Sequence, residues 1–290
     1  MMLYTAVVEP FVEYGFMRRA LVASMALGLG SGPVGVLLML RRMSLVGDAM
    51  SHAVLPGAAI GFLVAGGLSL LAMGIGGLVA GLSVALLAGL VSRTTKLKED
   101  ASFASFYLTS LALGVLIVSL HGSNLDLLHI LFGTILAVNA QAVYLVAGIS
   151  CFSLLMLALV YRPLVAECFD PGFLRAVGGM GSFYHIIFLL LVVLNLVAGF
   201  QALGTLMAVG LMMLPAAIAQ LWARTLPGMF AVAAGCASLS GLIGLLASYH
   251  LSTASGPSII LTASLIYALS LIFSPCGALW HFVKRSHLTG

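Results

Sequence analysis

The run LRRMSLVGDAMSHAVLPGAAIG, Leu40 to Gly61, sets a carboxylate and an imidazole four residues apart inside a stretch otherwise suited to lipid. Asp48 is the only charged residue between Arg42 and Arg93. The Arg41–Arg42 pair is a basic cluster between two apolar segments. A helix over 43–55 would put residues 48 and 52 on one face. Pro56 would then weaken the helix and free carbonyls near Ser51 and His52, and Gly57 and Gly61 would keep the region narrow.

The rest of the chain agrees with a membrane reading. Of its 290 residues 62% are hydrophobic and 7% charged, with a mean hydropathy of +1.21. A soluble domain carries about 25% charged residues. Apolar runs near the ~20-residue spanning length indicate an all-α polytopic membrane protein of about eight or nine transmembrane helices, and they alternate too little for barrel strands. The net charge of +4 is no nucleic-acid signal, because the basic residues sit in short clusters between spans. Cys151, Cys168, Cys236 and Cys276 form no CxxC pair and read as small core residues. The first 17 residues hold Glu9 and Glu13 but no Lys or Arg, unlike the n-region of a signal peptide.

Apolar segments are expected at 18–40, 46–66, 68–92, 100–120, 140–162, 183–200, 203–224, 226–248 and 257–280. The basic clusters Arg41–Arg42, Arg93–Lys98, Arg162 with Arg175, Arg224 and Lys284–Arg285 are separated by two segments each. They therefore fall on one face, which the positive-inside rule makes cytoplasmic. The C-terminus is then inside and the N-terminus outside, with Arg18–Arg19 as the exception. Residues 125–139 are a candidate re-entrant or interfacial helix, and 203–213 a candidate half-helix. The chain is expected to form one domain over 1–290, without a clear internal repeat. It carries neither a GxxxxGK(S/T) phosphate loop nor an HExxH zinc motif.

An oxygen and a nitrogen ligand on one helix face suit Zn²⁺, Mn²⁺ or Fe²⁺. Asp48 and His52 are thus the candidate metal residues, with the hydroxyls of Ser44 and Ser51 nearby. A buried structural hydrogen bond is the competing reading. A carboxylate near the bilayer centre costs on the order of 2.5–3.5 kcal/mol, and such residues usually mark an ion or proton path. His121, Asp126, His129 and His250 are weaker candidates for outer-face metal contacts, and solvated loops explain them as well. His185, His281 and His287 receive no role. Glu99 and Asp100 suit a helix N-terminus, and the 14 methionines suit packing rather than a copper site.

RRMSLVGDAMSHAVLPGAAIGF (Arg41–Phe62) resembles the signature of the permease subunits of bacterial ABC importers for manganese, zinc and chelated iron. So do KLKEDASFASFYLTSLALGVLIVS (Lys96–Ser119), LLHILFGTIL (Leu127–Leu136), FDPGFLRAVG (Phe169–Gly178), ALGTLMAVGLMMLPAAIAQ (Ala202–Gln220) and SYHLSTASGPSIIL (Ser248–Leu261). Met50 and His250 stand where that family often has leucine or isoleucine and an aromatic. The resemblance implies a type II-like importer permease fold in the bacterial inner (plasma) membrane and a homodimer with the metal path between its copies. A separate cytoplasmic ABC ATPase and an extracytoplasmic metal-binding protein would be its partners. It assigns the intramembrane metal residues to Asp48 and His52. The transported Zn²⁺ or Mn²⁺, not a permanent cofactor, would be the bound ion, and overall likeness leans to zinc.

An ATPase must grip the permease. PAAIAQLWARTLPG (Pro215–Gly228) is expected to form a short cytoplasmic docking helix, with Pro215, Gln220, Trp222 and Arg224 in ATPase coupling and FDPGFLRAVG beside it. Permease subunits are not catalytic. Three other functions compete: an ion-gradient-driven secondary metal transporter or channel, an intramembrane metalloenzyme lacking an obvious third ligand, and a purely structural subunit.

Overall fold

The computed structural model describes residues 7–67, 69–97, 99–120, 138–169 and 181–275. Of the expected segments 125–139 and 169–178, residues 125–137 and 170–178 lie outside the described residues, as do His121, Asp126, His129, His281 and His287.

The described residues form twelve helices: α1 (Glu9–Glu13), α2 (Gly15–Leu40), α3 (Ser44–Ala53), α4 (Leu55–Ala65), α5 (Leu70–Thr94), α6 (Glu99–Leu120), α7 (Ala140–Leu159), α8 (Tyr161–Phe169), α9 (Gly181–Leu203), α10 (Thr205–Trp222), α11 (Leu226–Leu251) and α12 (Ser255–Phe273). Nine stretches among them are long and apolar enough to cross a membrane, α3 and α4 together making one. The 26 residues of α2 reach about 39 Å at roughly 1.5 Å per residue, more than the ~30 Å of bilayer hydrocarbon.

Helices α2 and α9 form the centre, with 72% and 78% of their most apolar windows buried. Helix α2 packs against α7, α10 and α11, and α9 against α2, α5, α7 and α10. Small residues permit this closeness: Gly28 of α2 meets Ala237 and Gly30 meets Ser150. Without a hydrophobic force between helices in lipid, such contacts supply the association. The buried Asn195 amide donates to Ser153 Oγ and to the Leu191 carbonyl, both at 2.8 Å, which ties α9 to α7. Helices α6 and α12 are peripheral, with 17% and 22% of their windows buried.

Contacts between helix ends confirm the up-and-down order. Arg19 Nε donates to the Val138 carbonyl at 2.9 Å, and Tyr14 meets Tyr249 with ring centroids 5.8 Å apart. Gln201 Nε2 donates to the Leu70 carbonyl at 3.0 Å. The starts of α2, α5 and α7 and the ends of α9 and α11 therefore share one end of the bundle. At the other end, Arg41 meets Glu167 and His185. The expected segment parity is thus found within the bundle, and the Arg19 hydrogen bond gives that exceptional arginine a structural partner.

The expected segment 46–66 is one candidate crossing, with the helix interrupted at Val54 and Pro56 in the first turn of α4, where a weakened helix was expected. Two expectations are corrected. The 203–213 half-helix is not found: α10 runs unbroken for 18 residues from Thr205. A single residue, Gly204, at φ 93° and ψ 162°, reverses the chain between α9 and α10, a conformation essentially reserved for glycine. Nor does Pro215 open a short helix. It is buried inside α10, and Pro215–Trp222 is that helix's last two turns.

Candidate metal-ion path

Helix α2 ends at Leu40, Arg42 takes a left-handed turn at φ 59°, and α3 starts at Ser44. This tight reversal sends the chain back along the bundle with its register set. Val46, Gly47, Ala49, Met50, Ser51 and Ala53 of α3 are buried. The opposite face carries, at helical spacing, Ser44 and Asp48, which are exposed, and His52 and Leu55, which are half-buried.

On that stripe, His52 Nε2 lies 3.9 Å from Asp48 Oδ1. This is too long for a hydrogen bond, but two ligand atoms each about 2.0–2.2 Å from one ion stand at most about 4.4 Å apart. Both side chains can therefore reach a single ion from this geometry. The Asp48 side chain is 62% exposed and that of His52 30%. The pair thus opens outward from the chain, and a carboxylate left facing acyl chains would be costly. Among the described residues no third His, Cys, Asp or Glu joins the pair.

Of the hydroxyls expected nearby, Ser44 is exposed on the same stripe. Ser51 is not directed to the pair: its Oγ donates to the Asp48 carbonyl at 2.7 Å. The interruption at Val54 does free a carbonyl for another helix, since Ser110 Oγ of α6 donates to the Ala53 oxygen at 3.1 Å. Close approach also defines the floor of this region. A Cβ on Gly57 would overlap the Gly76 carbonyl of α5 and lie 2.6 Å from Ala80 Cβ.

The remaining candidates lie apart. His250 is exposed at the last turn of α11, with its ring edge-on to Tyr249 at 5.3 Å. Gln220 is half-buried, while Trp222 (47% exposed), Arg224, Thr225 and Pro227 form an exposed tip between α10 and α11.

One cluster escaped the sequence reading. Arg41, expected only as part of a topology-setting basic cluster, has a side chain only 8% exposed. Its Nη1 stands 2.7 Å from His185 Nδ1, its Nε donates to Cys168 Sγ at 3.2 Å, and its Nη2 lies 3.9 Å from Glu167 Oε1. The guanidinium also covers the Phe188 ring, 4.9 Å from its centroid. Burial pushes the Cys168 thiol above its ordinary range, and the charge and hydrogen bond of Arg41 only partly oppose this. Cys168 is therefore a neutral acceptor for Arg41. The carboxylate of Glu167 in an otherwise apolar stretch was the one sequence signal of this cluster.

Comparison with known proteins agrees with this architecture. The model of the ABC 3 transport family matches residues 13–274. The manganese transport system membrane protein MntC of Halalkalibacterium halodurans is 38% identical over 268 residues, covering 92% of this chain and 90% of that protein. The chelated iron transport system membrane protein YfeD of Yersinia pestis is 32% identical, covering 94% and 90%. The solved structure described as PsaBC from Streptococcus pneumoniae in complex with Fab superposes with a TM-score of 0.82 at 32% identity, covering 93% of this chain and 95% of its own. The expected type II-like importer permease fold is thus present. From the family match over residues 13–274 and the shared bundle, the chain belongs to the ABC 3 transport family, as a membrane permease subunit.

Proposed function

We propose that this chain is the permease subunit of an ATP-driven importer that carries Mn²⁺ into the cytoplasm by alternating access. The observation that carries this reading is the Asp48–His52 pair, 3.9 Å apart on a partly exposed stripe of an intramembrane helix. Two ligands are too few for a transition-metal ion, so a second copy facing the first would complete the site with an equivalent pair. The same juxtaposition would cover the exposed carboxylate. Binding there must be weak enough for release, as in any conducting site. Residues 1–290 would act as one transmembrane unit in the bacterial inner membrane.

ATP would be hydrolysed in a separate cytoplasmic subunit, and an extracytoplasmic binding protein would deliver the ion. The positive-inside rule supports placing the end that bears Arg41, Arg162 and Arg224 in the cytoplasm. Of the expected coupling residues, Trp222 and Arg224 stand exposed at that end and are the proposed ATPase contacts. Pro215 is buried within α10 and is better placed to shape that helix than to touch a partner. The relatives' names support manganese, and to a lesser degree chelated iron, over the zinc expected from the sequence.

The test is ion uptake into proteoliposomes holding the chain, its ATPase and its binding protein. Mn²⁺ uptake should require ATP hydrolysis, survive collapse of proton and sodium gradients, and exceed Zn²⁺ uptake. Uptake that needs a gradient and no ATPase would replace this reading with a secondary transporter.

A further inference from the structure

The imidazole of His52 lacks the support that a metal-binding histidine normally has. Such a ring usually donates its second nitrogen to a carboxylate, carbonyl or water, which fixes both tautomer and plane. Here Nε2 faces Asp48, while Nδ1 is buried with no hydrogen-bond partner among the described residues. What lies against the ring is Tyr107 of α6. The two rings are stacked, with centroids 6.1 Å apart and planes 29° from parallel.

Tyr107 belongs to a face of α6 that follows the interrupted helix point by point. Ser110, three residues on, hydrogen-bonds the Ala53 carbonyl at the break. Gly114, four further, brings its backbone against Pro56, where an added Cβ would lie 3.1 Å from the proline nitrogen. Residues 107, 110 and 114 share one side of a helix, and their partners are His52, Ala53 and Pro56. Helix α6 thus holds the break through Ser110 and Gly114 and presents an aromatic face to the imidazole.

We infer that Tyr107 is a positioning residue for the ion path: its ring face, not its hydroxyl, sets the plane in which His52 offers Nε2 to the ion beside Asp48. This rests on the reading of Asp48 and His52 as the ion site. A flat ring restricts imidazole rotation by stacking, and no hydrogen bond to Nδ1 is then required. A flexible aliphatic side chain would let the ring turn and carry Nε2 away from Asp48.

The experiment uses the whole complex in proteoliposomes and measures Mn²⁺ uptake and binding-protein-stimulated ATP hydrolysis together. Tyr107→Phe should stay within about twofold of wild type. Supporting shells of metal ligands typically carry 10–100-fold effects, so Tyr107→Leu should lower uptake about tenfold while leaving ATP hydrolysis unchanged. Fewer ions would then cross per ATP. Wild-type uptake in Tyr107→Leu would overturn the inference, and so would a parallel loss of uptake and hydrolysis, which marks a packing defect. An equal loss in Tyr107→Phe would assign the effect to the hydroxyl and overturn it too. If the leucine variant does not assemble, Tyr107→Met, long but not flat, is read by the same outcomes. His52→Ala in parallel separates the two levels: wild-type uptake there sinks the ion-site reading itself, whereas lost uptake there with an unaffected Tyr107→Leu sinks only the role of Tyr107.

Discussion

Replacing Arg41 by methionine removes a cation from a pocket that has little water to replace it. Methionine keeps much of the stem but none of the contacts to Glu167, Cys168 and His185 at 3.9, 3.2 and 2.7 Å. The Glu167 side chain is only 9% exposed, and its Oε2 already lacks a hydrogen-bond partner among the described residues. Breaking a buried pair from one side costs about 3–5 kcal/mol. Because Arg41 links the end of α2 to α8 and α9, the loss should appear as local opening of α8. Cys168 reports it directly. In a background with the other three cysteines changed to serine, maleimide labelling of Cys168 follows the open fraction. At about 1.36 kcal/mol per tenfold the lower bound raises the open fraction about a hundredfold, and because Cys168 is half-buried and labels to some extent without opening, labelling should be at least about tenfold faster in Arg41→Met. Removing both charges is far less costly than removing one, so adding Glu167→Met should recover most of the protection. Labelling within threefold of the parent in Arg41→Met, or a double variant as reactive as the single, would refute this energetic account.

Gly204→Ala forces a Cβ into a backbone conformation essentially limited to glycine, which costs about 1–3 kcal/mol; a lowered unfolding temperature in detergent should show it, and an unchanged one would mean that the α9–α10 reversal relaxes freely. Gly57→Val should part α4 from α5, because even a Cβ meets the Gly76 carbonyl; reduced assembly and stability are expected, with Ala59→Val on the half-exposed side of the same helix as the tolerant control. Replacing both Trp222 and Arg224 by alanine should weaken co-purification of the ATPase while leaving the permease fold and its thermal stability intact, and full co-purification would move the docking surface elsewhere.

The helices and their order were legible because each span needs a long apolar run, and the arginines between them mark alternate turns. Asp48 and His52 were legible for a related reason: a carboxylate in such a run is conspicuous, and a spacing of four brings it to a histidine on any helix. Other features depended on contacts between distant segments. Cys168 read as a small core residue and Arg41 as a topology signal, since nothing local brings residue 41 to residues 167 and 185. The stacking of Tyr107 on His52 likewise joins helices 55 residues apart in sequence. Pro215 misled because proline suits a helix start, yet α10 accommodates it in its interior. Gly204 looked like one glycine among 33, and only its backbone angles mark it as the reversal between α9 and α10.

The ion path itself is tested most directly by Mn²⁺ uptake through Asp48→Asn and His52→Ala, each assembled with its ATPase and binding protein in proteoliposomes. Asparagine keeps the shape of Asp48 and removes only the charge that offsets a dehydrated cation. Loss of at least about nine-tenths of uptake in each, with the complexes intact and still hydrolysing ATP, is the predicted result. Undiminished uptake in both would contradict a path through this pair and leave Asp48 and His52 as structural residues.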